Sequence, residues 1–178
     1  MRKLLGAAVL LAALMVVGAT PAAAGNAMRA LLEGTTIGFI DDPAAVAARC
    51  PAGFEWILQT AGSGELTSEA YTGPVDYTSE HCSRLLAGTL TDHAVGKADA
   101  GLLTLVTPSG DRLNVTYRGT FVFNGDTAVA WRSDVSQSFL ITGGTGVFAG
   151  ASGHGHLPTV DNSGAVILAL NGSLALPG

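Results

Sequence analysis

Two histidines, His154 and His156, have a spacing that can support metal chemistry. On a β-strand, residues i and i+2 point to the same face, so both imidazoles can reach one ion. A third ligand would be His81 or Asp161, but nothing in the sequence brings either close to the pair. Because both histidines alternate with glycines, we expect two solvated polar side chains rather than a metal site.

A glycine-rich segment, residues 143–150, matches a nucleotide-binding fingerprint in its letters. Gly144, Gly146 and Ala149 satisfy G-x-G-x-x-A and follow an apolar run. That fingerprint holds a pyrophosphate only when its last small residue opens a helix inside a βαβ unit. The following residues are rich in glycine and lead to Pro158, a composition that disfavours a helix. We therefore expect neither a nucleotide nor any other cofactor.

The two cysteines, Cys50 and Cys82, have two alternative interpretations. An even number of cysteines in an exported chain favours one disulfide. The alternative is a catalytic thiol or a metal ligand, but no C-x-x-C spacing supports a metal, and an exported thiol tends to oxidise. We expect the disulfide, with His81 packed beside it.

Residues 1–24 have the pattern of an export signal. Arg2 and Lys3 precede an apolar run, residues 4–19, and Ala22 and Ala24 form a small-residue cleavage site. The alternative is a membrane anchor, yet the run is shorter than the roughly 20 residues that a spanning helix needs. We expect a secreted protein with no membrane span after cleavage.

Composition and charge exclude several classes of function. Fourteen acidic residues against nine basic ones give a formal net charge of -5, which disfavours a phosphate backbone, so we expect no nucleic-acid partner. A chain of 178 residues suits one domain. Its 24 glycines favour a turn-rich β protein, because each glycine weakens a helix interior by about 1 kcal/mol.

The elements that must position these residues are predominantly strands. Apolar and polar residues alternate over residues 112–123, which predicts a long half-buried strand. Short helices are expected at residues 27–32 and 43–48, within an N-terminal lead-in at residues 25–49. Turn signals separate seven to nine short strands over residues 50–178, which favours a closed barrel or a sandwich. The other predicted strands are residues 54–60, 64–68, 75–79, 102–107, 128–131, 138–142, 153–157 and 165–174.

A family resemblance is carried by the run GGTGVFAGA at residues 143–151. We interpret this run as a strand, a glycine turn and a returning strand. It resembles the late hairpin of the allene oxide cyclase and dirigent barrel superfamily, and in particular its exported bacterial members. Other matching elements follow in order along residues 50–175. They are Cys50, Gly62, Gly64 and Thr67, His81 with Cys82, Ser109 to Asp111, and Asn171 with Gly172.

The resemblance implies an eight-stranded antiparallel β-barrel of the calycin type, preceded by the short helical lead-in. Strand side chains in such a barrel alternately fill the lumen and meet solvent. The glycines of the hairpin would supply positive φ or a close backbone approach, and the aromatic residue would plug one barrel end. These motif residues are Gly143, Gly144, Gly146, Phe148 and Gly150.

The same resemblance leaves the function open among three classes. We expect a protein that binds a small apolar or aromatic molecule in its lumen; the alternatives are a cyclase or isomerase of a hydrophobic substrate and a non-catalytic structural protein. The expected lumen residues are Trp56, Tyr117, Phe121, Trp131 and Phe139. Glu55 and Glu65 are the candidate carboxylates, although strand parity favours an outer face for them. No catalytic residue of the plant cyclases matches a position here, and a homo-oligomer is left open.

Overall fold

The computed structural model describes residues 27–89, 93–126 and 130–177, with the backbone alone described at 124–126 and 130–135. Eight antiparallel strands form a closed barrel in which each strand pairs with the next along the chain and the last pairs with the first. The strands are β1 (Ala27–Ile40), β2 (Trp56–Thr67), β3 (Thr72–Ala87), β4 (Ala94–Val106), β5 (Arg112–Asp126), β6 (Ala130–Gly144), β7 (Ser152–Asn162) and β8 (Ala165–Ala175). The predicted eight-stranded antiparallel barrel is confirmed. The predicted export signal lies outside the described residues.

The first strand corrects the expected lead-in. Residues 27–32 form part of β1, not a helix, and β1 closes the barrel by pairing with both β2 and β8. Met28, Ala30 and Leu32 alternate into the core, while the residues between them are exposed. These residues have good helix propensity, yet they form a strand. The neighbouring strands β2 and β8 hydrogen-bond with their backbone N–H and C=O groups, and one face of the strand is buried. The barrel therefore begins at Ala27, not at Cys50.

The predicted helix at residues 43–48 is present as α1 (Pro43–Arg49). The Asp42 carboxylate accepts a hydrogen bond from the Ala45 amide at 2.8 Å, which satisfies one of the free donors of the first turn. Pro43 occupies an early helical position, where its missing amide hydrogen costs nothing. The helix lies on the outside of the barrel and buries Val46.

A disulfide joins Cys50, at the end of α1, to Cys82 in β3, as predicted. Both cysteines pack with Val46 and Ile57 in a small apolar cluster on the outer face of the barrel. Disulfides persist in oxidising compartments, so the pair indicates such an environment. Over the described ranges, no helix has the length and apolar character to cross a bilayer.

One end of the barrel is filled with apolar side chains and is called the closed end here. It carries the β2–β3, β4–β5 and β6–β7 connections. Phe148, in a 3-10 turn of residues Gly146–Phe148, is fully buried there and meets Tyr71 edge to face with ring centroids 6.0 Å apart. It belongs to the main core cluster, which contains leucines of six strands. The glycine hairpin thus folds its aromatic residue into the closed end.

Aromatic rings in the lumen lie opposite glycines on the neighbouring strand. Tyr117 pairs with Gly101, and Phe121 pairs with Gly96. The same arrangement pairs Tyr77 with Gly62 and Phe139 with Gly155. A narrow eight-stranded barrel accepts large rings on its inner face where the facing residue has no side chain. The rings therefore lie along the wall at glycine positions.

The Gly101→Ala variant should lose about 2 kcal/mol of unfolding free energy, because overpacking a filled site costs roughly 1–3 kcal/mol. A Cβ at Gly101 would lie 2.6 Å from the Tyr117 ring. Gly38→Ala is the matched control, since the nearest atom there is the flexible Gln59 side-chain end. Urea denaturation of both variants measures the difference. Equal losses would mean that the Tyr117 ring moves aside freely.

Candidate functional site

The opposite end of the barrel, called the open end here, has an aromatic rim. Phe39 stacks on Trp56 with ring centroids 6.0 Å apart, and Trp56 meets Phe121 edge to face at 6.5 Å. Phe39 is 53% exposed, whereas Trp56 and Phe121 are buried. Phe123 packs in the same cluster. The rim thus offers apolar rings of which at least one is reachable from solvent.

A chain of hydrogen bonds runs across the lumen wall below the rim. The Tyr117 hydroxyl donates to Ser79 Oγ at 3.2 Å, and Ser79 Oγ lies 2.9 Å from Thr60 Oγ1. His81 Nδ1 lies 3.0 Å from the Tyr117 hydroxyl oxygen. Because the phenol has one proton and donates it to Ser79, His81 Nδ1–H must donate to Tyr117. The Nε2 of a neutral His81 is then its acceptor nitrogen.

This position of His81 differs from the expectation that it would pack beside the disulfide. Cys82 faces outward toward α1, and its neighbour in an alternating strand therefore faces the lumen. There the His81 ring meets the Tyr117 ring edge to face, with centroids 5.7 Å apart. Burial lowers the pKa of His81 to about 4, so its imidazole is neutral at pH 7. Burial also raises the pKa of Tyr117, with the Ser79 hydrogen bond opposing the shift.

Three polar groups form a second cluster in the lumen wall, called the Asp161 cluster here: Tyr77, Thr159 and Asp161. Thr159 and Asp161 are two residues apart in β7 and share its inner face. Burial raises the pKa of the Tyr77 phenol, the nearby Thr60 hydroxyl opposes this shift, and the charge of Asp161 adds to it. Within the described part of the chain, the buried Thr159 hydroxyl has no hydrogen-bond partner, and the Tyr77 hydroxyl, which lies near Thr60, makes no hydrogen bond of good geometry. Buried polar atoms without a partner are uncommon and indicate a place for water or a ligand.

Asp161 itself is 4% exposed, and its two hydrogen-bond donors among the residues whose side chains are described are neutral. Its Oδ2 accepts from Thr36 Oγ1 at 3.2 Å, and its Oδ1 accepts from the Gly164 amide at 3.0 Å, which also closes the β7–β8 turn. Burial raises the pKa of Asp161 to about 6, and the two hydrogen bonds only partly oppose this shift. The carboxyl group can therefore gain or lose a proton near neutral pH.

The raised pKa of Asp161 makes folding depend on pH in a defined direction. Between the ordinary value of 3.8 and about 6, the folded state binds the proton more tightly than the unfolded chain does. The contribution of Asp161 to the free energy of unfolding is therefore largest below about pH 4. It decreases as the pH rises through about 6. Asp161→Asn removes the titration while retaining a carbonyl acceptor for Gly164. We expect the stability of the variant relative to the parent to increase from pH 4 to pH 7 in urea titrations. A pH-independent difference would contradict the buried, uncompensated carboxylate.

The structure brings only some of the predicted lumen residues together. Trp56 and Phe121 meet at the open end, and Tyr117 lies deeper, in the hydrogen-bonded chain. Phe139 packs in the main core cluster with its ring over Gly155 and Gly172. Phe139 is therefore part of the filled core. The side chain of Trp131 lies outside the described part of the structure.

The predicted polar candidates lie on the outer surface. His154 and His156 are exposed in β7, with the expected common face. Among the residues that the structure describes, no group of three His, Cys, Asp or Glu side chains can hold a metal ion. Glu55 and Glu65 are also exposed. None of these four side chains belongs to the lumen.

Sequence analysis missed Phe39, Tyr77, Thr159 and the role of Asp161. The pattern of β7 contained the information for Asp161. Leu157, Thr159 and Asp161 are every second residue of the strand, so they share one face, and the buried Leu157 marks that face as the inner one. That alternation predicts a lumen position for the Asp161 carboxylate. Phe39 was not predicted at the rim because residues 25–49 were expected to form a lead-in outside the barrel.

No family model matches the chain, and neither a curated protein nor a solved structure matches it. The barrel is shown by its own strand pairing, whereas the resemblance to the allene oxide cyclase and dirigent superfamily depends on the sequence motifs.

Proposed function

We propose that the protein binds a small aromatic or apolar molecule at the open end of its barrel. The observation that carries this proposal is an aromatic rim above buried polar groups, two of which make no hydrogen bond of good geometry within the described structure. Ligand sites in proteins typically combine an apolar, aromatic lining with a few polar groups that orient the ligand. The open end has both features, while the closed end is filled by Phe148 and the main core.

Trp56→Leu should weaken binding of the neutral fluorescent probe N-phenyl-1-naphthylamine at least tenfold, which corresponds to about 1.4 kcal/mol. Trp56 contacts two of the rim rings, and leucine keeps the site apolar while removing the aromatic face. Leu140→Ala is the matched control, because Leu140 is an exposed apolar residue on the outer face of β6. Fluorescence titration gives both affinities. Weakening by Leu140→Ala alone would locate the binding site outside the lumen.

A cyclase or isomerase acting on a hydrophobic substrate is the second candidate. It is favoured by Asp161, whose pKa near 6 suits proton transfer at neutral pH, and by the neighbouring Tyr77 phenol. In such a reaction the barrel would chiefly restrain the substrate, and Asp161 would move one proton. Native mass spectrometry of the protein from its own culture medium should reveal a retained adduct. Conversion of that adduct's parent into an isomer of equal mass, lost in Asp161→Asn, would establish the enzyme.

A structural, non-catalytic role is the third hypothesis, and the filled closed end favours it. A barrel that is solid throughout would bind neither the naphthylamine probe nor an adduct. Full absence of both would therefore favour this role over the binding function.

Membership of the exported allene oxide cyclase-like barrels is likewise a proposal. The eight-stranded antiparallel barrel, the disulfide and the glycine hairpin that buries Phe148 support it. We also propose that the protein is secreted after cleavage behind Ala24. N-terminal sequencing of the protein from the medium should start at Gly25, and a chain that retains Met1 would contradict this.

A further inference from the structure

We infer that the ligand carries a basic nitrogen, and that the Asp161 cluster holds this organic ammonium group while the rim receives its aromatic part. This inference rests on the proposed binding function and specifies its ligand class. It concerns arylalkylamines, in which a short chain separates the ammonium from the ring.

The first support is the set of oxygen atoms in the Asp161 cluster. Within the described residues, the Thr159 hydroxyl lacks a partner and the Tyr77 hydroxyl, near Thr60, makes no hydrogen bond of good geometry. Each can accept a hydrogen bond. The Asp161 carboxylate retains acceptor capacity beyond its bonds to Thr36 and Gly164. An ammonium group has three donors and no acceptor, so it complements three oxygen acceptors.

The second support is the missing countercharge. Asp161 faces Thr36 from β1, the apolar Val166 from β8 and the Gly164 amide from the turn. Tyr77 from β3 is the titratable neighbour. No cationic side chain pairs with Asp161 among the residues whose side chains are described. A buried carboxylate is strongly disfavoured unless it is paired, and a ligand cation would supply the pair.

The third support is the position of the rim. Thr36, which donates to Asp161, and Phe39 are three residues apart in β1, or about 10 Å at the usual strand rise. Phe39 stacks on Trp56 at the rim. An arylalkylamine can place its ammonium group at Asp161 and direct its ring toward these aromatic faces. The overall negative charge of the chain also favours the approach of a cation.

The competing ligand is a neutral oxygen compound. A protonated Asp161 and the two hydroxyls would offer three donors to a carbonyl or phenolic oxygen. The two ligand classes require opposite protonation states of the same carboxyl group, so they have opposite pH dependence. Binding of an ammonium ion strengthens as pH rises through about 6, and binding of an oxygen acceptor weakens.

The test compares 2-phenylethylamine with its neutral isostere 2-phenylethanol by calorimetric titration of the full chain at pH 5 and pH 7. We expect the amine to bind at least tenfold more tightly than the alcohol at pH 7, and to lose about tenfold in affinity at pH 5. Asp161→Asn should abolish the preference for the amine over the alcohol at pH 7. Tyr77→Phe should weaken amine binding severalfold. Asp76→Asn, which removes an exposed carboxylate of β3, is the control and should change neither affinity.

Several outcomes would overturn the inference. Equal affinity for amine and alcohol, or tighter amine binding at pH 5, would exclude an ionic contact with Asp161. Absence of amine binding while N-phenyl-1-naphthylamine still binds would also exclude it, and would leave the proposed binding function intact. Failure of the naphthylamine probe as well would contradict the binding function itself. If Asp161→Asn does not fold, Tyr77→Phe and the pH dependence of the parent protein still decide the result.

Discussion

Phe148→Ala should lower the free energy of unfolding by about 4 kcal/mol, within the usual range for truncating a fully buried phenylalanine. Phe148 has no accessible surface and lies in the main core cluster at the closed end. Its ring meets Tyr71, and its Cβ lies close to Gly144, so the surrounding backbone has little freedom to fill the space. Urea denaturation at pH 7 measures the loss.

Val147→Ala is the matched control, because Val147 belongs to the same short turn but is 43% exposed. Its loss should stay within about 0.5 kcal/mol, as is usual for surface substitutions. A loss below about 1 kcal/mol for Phe148→Ala would show that the ring does not seal the barrel, since cavity formation at a rigid site costs more.

Removal of the disulfide should have the second largest effect. The Cys50→Ala/Cys82→Ala double variant should lose about 3.5 kcal/mol, because a cross-link between residues 32 positions apart restricts the unfolded chain. The loss should appear as a lower urea midpoint with the barrel still formed, since the bond attaches α1 to the outside of the strands.

Reduction of the parent protein with dithiothreitol is the control for this variant, because it breaks the bond without removing the sulfur atoms from the apolar cluster. The two losses should agree to within about 1 kcal/mol, the cost of small changes in packing. A thiol assay on the unreduced, unfolded protein should detect no thiol. Two titratable thiols, or unchanged stability after reduction, would contradict a stabilising disulfide.

The sequence predicted those features that depend on local pattern. The alternation of residues 112–123 identified β5 because successive strand residues point to opposite faces wherever the strand lies. The helix after Asp42 was likewise predicted from its capping residue and Pro43. Closely spaced strands and turn signals indicated a barrel or a sandwich, and the family resemblance selected the eight-stranded barrel.

Pairing between distant segments decided what local pattern did not. Residues 27–32 have favourable helix propensity, yet they form β1 because β2 and β8 satisfy both of its edges. Predicted strands 54–60 and 64–68 are one strand, β2, whose two glycines accommodate the close approach of β1. Propensity is worth only a few tenths of a kcal/mol per residue for such sequences, so tertiary hydrogen bonding and burial outweigh it.

By itself, the sequence determined the strand-rich class, the pairing of the only two cysteines and the two aromatic residues Trp56 and Phe121 that meet at the rim. Only the tertiary structure decided that Asp161 lies near enough to Tyr77 to affect its pKa and that His81 turns away from the disulfide toward Tyr117. These contacts join residues 36 to 84 positions apart, and they follow from strand register and barrel closure, which no local pattern of residue types encodes.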